Sequence, residues 1–193
     1  MTRWPSPLSW LLCTCLALTW SPADSAALSD STWDELYRQN AERFIPEYDW
    51  RYIKAQSWQE SRFDPLAVSP VGATGLMQIM PKTGLELARQ TGAAGPLTSP
   101  ALNALYGAFY MRRMLNIWHS PRPPLARLEL AWASYNAGAG HILKAQKLAN
   151  GAPLWDDISP QLVNVTGKHS RETLTYVSRI HRWYGDLACC SDP

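Results

Sequence analysis

Trp58-Gln59-Glu60-Ser61-Arg62-Phe63-Asp64-Pro65 closes an apolar helical segment on a carboxylate, and Gly75-Leu76-Met77-Gln78-Ile79-Met80-Pro81 follows shortly after it. Upstream, Trp50, Ile53, Ala55, Gln56 and Trp58 lead into Glu60, with Asp49 placed to cap the segment. Pro65, Pro70 and Gly72 make residues 62–74 a loop. Gly75 and Pro81 bracket a short helical turn over residues 76–80. A carboxylate at a helix end, facing a glycine-marked turn, describes a cleft with an acid in its wall.

The flanking chain repeats the helical pattern. Ser31 is placed to cap a helix over residues 32–44, with Asp34 and Glu35 in its first turn and Trp33, Leu36, Tyr37, Asn40, Ala41 and Phe44 near a 3.6 period; Pro46 ends it. Pro81 opens a helix to about residue 89, and Ser99-Pro100 reads as cap and first position of a long one. On that helix Leu102, Leu105, Tyr106, Phe109, Tyr110 and Leu115 form the apolar side. Pro121, Pro123 and Pro124 precede a helix over 125–135, and Gly138 and Gly140 flank a turn into another over 142–148. Residues 150–168 carry mixed signals. Ser170 is placed to cap the last helix, whose expected face is Leu174, Val177, Ile180 or His181, Tyr184 and Leu187. No segment alternates long enough to require a sheet. The expected architecture is all-α, with at most a minor strand element: one domain of about seven helices.

Arg3, an apolar run from Leu8 to Trp20, Pro22 and small residues through Ala27 have the form of a secretory signal peptide. The run is short for a membrane span, and Cys15 lies in a poor setting for lipidation. The expected organisation is a leader over 1–27, a catalytic domain over 28–188 and a short tail over 189–193. The net charge of +2 gives no indication of nucleic acid as a partner. Of four cysteines, Cys13 and Cys15 fall in the leader, leaving the adjacent Cys189 and Cys190, which are too close for an unstrained disulfide. His119, His141, His169 and His181 are scattered singly, so neither a metal nor a cofactor is expected.

A lone glutamate is weak evidence of catalysis, but three features strengthen Glu60. Trp58 and Phe63 supply apolar surroundings that raise a carboxyl pKa, as a general acid near neutral pH requires. Ser61 and Ser69 offer hydroxyls for orienting a substrate, and Gly72 and Gly75 permit a tight loop that brings Met77 and Gln78 beside the acid. The candidates for a second carboxylate are poor. Asp64 is explained by bonding to nearby backbone, and Glu172 by its place in the first turn of the last helix.

In three ordered blocks the chain resembles the soluble lytic transglycosylases of the goose-lysozyme-like superfamily. They run from Glu60-Ser61-Arg62-Phe63-Asp64-Pro65 through Gly75-Leu76-Met77-Gln78-Ile79-Met80-Pro81, then Ala133-Ser134-Tyr135-Asn136-Ala137-Gly138, then Glu172-Thr173-Leu174-Thr175-Tyr176-Val177. The resemblance implies a lysozyme-like domain with a substrate groove. In it Glu60 is the sole catalytic acid and base, and Ser61, Ser69, Met77, Gln78, Tyr135, Asn136 and Tyr176 are substrate-binding residues. It further implies cleavage between N-acetylmuramic acid and N-acetylglucosamine in peptidoglycan, with a 1,6-anhydromuramyl end formed and no water consumed. Expected with it are a periplasmic or secreted monomer and, as a partner class, an envelope-spanning secretion, conjugation or phage-related machine. Core packing is a competing role for Met77, Ile79, Met80 and Tyr176, as is a helix C-cap for Tyr135-Asn136. Two further alternatives are a hydrolytic muramidase or chitinase on the same fold, and a non-catalytic wall-binding assembly protein.

Overall fold

The computed structural model describes residues 27–189. Most of the expected leader, with Cys13 and Cys15, and the tail from Cys190 onward lie outside the described residues. The regular structure of the described residues is helical. Its elements are α1 (Asp34–Phe44), α2 (Arg51–Ser61), α3 (Pro81–Thr91), α4 (Pro100–Ile117), α5 (Pro124–Ala137), α6 (Ala139–Leu148), the single turns α7 (Trp155–Ile158) and α8 (Val163–Thr166), and α9 (Ser170–Cys189). Among the described residues only two isolated antiparallel bridges, Val68 with Thr74 and Thr74 with Ile79, depart from helix and loop.

Proline starts three of the helices. Pro81, Pro100 and Pro124 each occupy the first helical position of α3, α4 and α5, where a missing N–H costs nothing and φ is already helical. Asp49 acts as expected at the head of α2: its Oδ1 accepts from the Arg51 amide at 2.9 Å. Ser31 does not cap α1. That helix begins at Asp34 after Trp33, and Ser31 contributes only its backbone carbonyl to the Asp34 amide. The Thr32 amide is instead taken by the Asp30 carboxylate, so the polar side chain that organises this entry lies one residue upstream.

The core forms around α2. Residues 53–58 are all buried, so this helix has no solvent face along its middle and is enclosed chiefly by α9 and α1. Lys54 is 3% exposed, a location a cation tolerates only with a partner. Asp34 of α1 supplies it at 2.6 Å, while the Trp50 and Phe63 rings lie 6.0 and 5.7 Å from the ammonium. On the α9 side, the Trp183 indole donates to Gln59 Oε1 at 3.1 Å and meets Trp58 edge-on.

Two helix faces differ from the sequence expectation. On α9 the buried stripe is Ser170, Thr173, Tyr176, Val177, Ile180, Trp183 and Leu187, whereas Leu174 is exposed and Tyr184 half-buried. Polar Thr173 and Tyr176 turn inward because α2 and α5 offer them hydrogen-bond partners. On α4 the deepest positions are Asn103, Ala104, Tyr106, Gly107, Ala108, Met111, Met114 and Leu115, while Leu102, Leu105, Phe109 and Tyr110 are only partly covered. Small residues on that stripe admit the 75–78 turn closely. A Cβ on Gly107 would lie 2.7 Å from Met77 Cβ and closer still to its Cγ. Gly107→Ala is therefore expected to destabilise the fold by about 2 kcal/mol by overpacking, despite alanine's better helix propensity; chemical denaturation measures it.

The 150–168 region, unreadable from sequence, is a series of single turns that buries Trp155, Ile158 and Leu162.

Candidate active site

Glu60 stands one residue before the end of α2, which stops abruptly. Arg62 and Phe63 both adopt left-handed backbone (φ 54° and 64°), a conformation that is costly for residues with a side chain. The turn is held in place. The Arg62 amide bonds back to the Trp58 carbonyl, the Phe63 ring is buried against Trp58 and Tyr37, and the Trp33 indole donates to the Phe63 carbonyl at 3.3 Å. Asp64 accepts from the Leu66 amide at 2.8 Å, the local loop role expected of it.

Residues 75–78 form a tight turn closed by the paired Thr74 and Ile79 backbones, not the helical turn expected, and Gln78 takes a left-handed φ of 47°. Gly75 needs both its φ of 82° and its missing side chain, since a Cβ there would lie 2.5 Å from Asn103 Nδ2. Side chains satisfy the backbone of this turn almost group by group. The Leu76 carbonyl accepts from Ser57 Oγ at 3.0 Å and Ser61 Oγ at 2.9 Å, successive positions on one face of α2, and Tyr37 stands 2.6 Å behind Ser57. The Met77 carbonyl accepts from the Tyr135 hydroxyl at 2.8 Å, and the Met77 amide donates to Asn103 Oδ1 at 2.7 Å. Gln78 Nε2 donates to the Gly75 and Ala67 carbonyls at 3.0 and 3.2 Å, tying the turn to the preceding loop. Within that loop Ser69 Oγ accepts from the Ala73 amide at 2.9 Å.

Ser61, Gln78, Tyr135 and Met77 thus share a framework beside the acid, with their polar groups engaged in building it. Tyr176 reaches the acid itself. Its hydroxyl donates to Glu60 Oε1 at 2.5 Å and accepts from Gln56 Nε2 at 3.0 Å. Asn136 faces the start of α9, where its Oδ1 accepts from Thr173 Oγ1 at 2.8 Å and it also hydrogen-bonds Glu172.

The electrostatics favour a protonated acid. Burial pushes the Glu60 carboxyl up to about 8; the Tyr176 hydroxyl opposes the rise and the nearby Glu172 charge adds to it. With that value Glu60 is mostly protonated at neutral pH. Burial and the Glu60 charge together hold the Tyr135 and Tyr176 phenols well above their usual range, so both remain neutral donors.

Glu172 departs from the expectation. It does lie in the first turn of α9, but it is half-buried, its own carboxyl is pushed up by burial, and its field acts on Glu60. Sequence reasoning missed Asn103 and Gln56 as parts of the site. A polar residue buried within a helical apolar pattern was the available signal in both.

A family profile described as Transglycosylase SLT domain matches residues 38–158. The chain is 31% identical over 170 residues to the membrane-bound lytic murein transglycosylase F of Photobacterium profundum, covering 80% of this chain and 31% of that protein. It is 32% identical over 166 residues to the protein of the same name in Shewanella halifaxensis, covering 78% and 34%. The chain thus spans 31 to 34% of the length of these curated relatives. Among solved structures, an inactive mutant of lytic transglycosylase Slt from Pseudomonas aeruginosa superposes with a TM-score of 0.66 at 27% identity, over 84% of this chain and 25% of that one. The 70 kDa soluble lytic transglycosylase of Escherichia coli, at 24% identity and a TM-score of 0.61 over 86% of this chain and 28% of that one, shares the fold.

Proposed function

The chain belongs to the Transglycosylase SLT domain family, and from that premise we propose that it is a lytic transglycosylase of the cell envelope with Glu60 as its acid and base. The observation that carries this reading is a carboxyl pushed up to about 8 by burial while Tyr176 holds one of its oxygens. Such a group is still protonated at neutral pH and is supported for proton transfer. The substrate is the β-1,4 bond from N-acetylmuramic acid C1 to N-acetylglucosamine O4. Glu60 gives its proton to O4 as the C1–O4 bond breaks, leaving a carboxylate. The muramyl C6 hydroxyl then attacks C1, and its proton passes to Glu60, which regenerates the acid. A 1,6-anhydro end forms and no water enters. The named activity of the relatives supports this substrate class.

Glu172 favours a second reading. Ordinary glycosidases use two carboxylates, and Glu172 is near enough to influence Glu60. A hydrolase on this site would direct water to C1. Digestion of purified sacculi in heavy-oxygen water, with mass analysis of the products, separates the two. Unlabelled anhydro ends, one water lighter than reducing ends, are expected. Label at new reducing ends would overturn the transglycosylase reading in favour of the hydrolase.

The leader-like N-terminal segment supports action outside the cytoplasm. Among the described residues no helix is long and apolar enough to cross a membrane.

A further inference from the structure

Gln56 lies one helical turn before Glu60 on α2 and has no solvent exposure. Burying a primary amide is unfavourable unless its polar atoms find partners. Gln56 Nε2 has one, the Tyr176 hydroxyl at 3.0 Å, while Gln56 Oε1 has none among the described residues. The amide is thus placed with its donor, Nε2, on Tyr176.

The consequence follows from counting hydrogens. A phenol has one hydrogen to give and lone pairs to accept with. At 2.5 Å from Glu60 Oε1, the Tyr176 hydrogen is directed at the carboxyl. The amide must then approach the same oxygen as a donor, which is what Nε2 does. In this orientation the donor behind the phenol oxygen polarises O–H toward Glu60 and disfavours the reverse arrangement, in which Tyr176 turns away and accepts a proton from the acid. Glu60 Oε1 is thereby kept as an acceptor, and a proton on the neutral acid resides on Oε2.

We propose that Gln56 is a positioning residue that acts through Tyr176: it fixes the direction of the phenol hydrogen and so places the transferable proton of Glu60 on Oε2. This rests on Glu60 being the acid. The Gln56 hydrogen bond also lowers the phenol pKa while the phenol lowers that of Glu60, the signs such a relay requires.

The test uses the full chain on a defined oligosaccharide of alternating N-acetylmuramic acid and N-acetylglucosamine. Gln56→Met keeps the length of the side chain and removes the donor. It is expected to lower kcat about tenfold, the effect of losing one neutral hydrogen bond, with KM unchanged. The alkaline limb of the rate profile should move up, because the ionised acid loses support. In a Tyr176→Phe background the same change should have no further effect. A wild-type pH profile for Gln56→Met, a loss confined to KM, or additive losses in the double variant would overturn the proposal. Glu60→Gln measured alongside isolates the underlying reading: activity in that variant removes the acid assignment, whereas its inactivity beside an unaffected Gln56→Met removes only the role of Gln56. Where Gln56→Met does not fold, the side-chain amide resonances of Gln56 itself are compared in the wild type and Tyr176→Phe. A shift with faster exchange is expected, and unchanged resonances would overturn the relay.

Discussion

Glu60→Gln is expected to abolish glycan cleavage, by at least about 10³-fold, while raising thermal stability at neutral and alkaline pH. Both effects come from the same burial. The amide cannot donate the proton that the leaving oxygen needs, yet its carbonyl still accepts from Tyr176 in the place of Oε1. The stability change has a definite pH window. Below the ordinary carboxyl value of 4.5, the acid is neutral in folded and unfolded chains alike and costs nothing. As pH rises from 4.5 toward 8, the unfolded chain ionises while the folded one keeps its proton, so wild-type stability falls; above about 8 the full cost is present. Glutamine does not ionise. The gain should therefore be near zero at pH 4, grow through that window and level off, reaching on the order of 2 kcal/mol after allowance for the partial exposure of Glu60. Paired melting curves at several pH values measure it, with turbidity of a sacculus suspension following lysis. A flat difference with pH would mean that Glu60 titrates ordinarily, and continued lysis would remove it as the acid. An inactive, folded variant also separates an enzyme from a wall-binding protein that merely keeps the groove.

Asn103→Ala is expected to destabilise the fold by about 3 to 4 kcal/mol, an effect belonging to buried networks and not to surface changes. Asn103 has no exposure, and each of its side-chain bonds secures backbone: Oδ1 takes the Met77 amide at 2.7 Å, and Nδ2 gives to the Thr74 and Leu97 carbonyls at 2.8 Å each. Removing the amide leaves the Met77 amide and the Leu97 carbonyl unpaired around a new void, while the Thr74 carbonyl keeps only the Ile79 amide. Asn103→Asp is a sharper probe, since it keeps an acceptor for Met77 and turns a second oxygen toward two carbonyls. Its loss should match or exceed that of alanine above the titration of the new carboxyl. Denaturant midpoints measure both. Activity should fall with them, since the turn beside the acid is the element released. A loss under about 1 kcal/mol for both variants would show that the turn holds itself.

Why Glu60 was readable and Asn103 was not comes down to range. Glu60, the proline-started helices and the Asp64 turn are signalled by neighbours within a few residues, where capping and turn chemistry operate. Asn103 bonds Met77 across 26 positions, and Gln56 bonds Tyr176 across 120. Their place in an apolar helical pattern hints at burial, but nothing local names the partner of either. The α9 face was misread for the same reason. Leu174 outranks Thr173 by hydrophobicity, but Thr173 has Asn136 as a partner and is turned inward. Tyr135, Tyr176 and Glu172, from the second and third blocks, do converge on Glu60, though spacing alone could not say that Glu172 would act on it.

The helix carrying the acid has no free side along residues 53–58. It therefore cannot slide or rotate in place: a step of one residue would move Glu60 by about 1.5 Å and about 100° and would drive Lys54, Gln56 and Ser57 out of their pairings together. The backbone that carries Glu60 is thereby tied to the core, and displacing it means unpacking α2 as a unit.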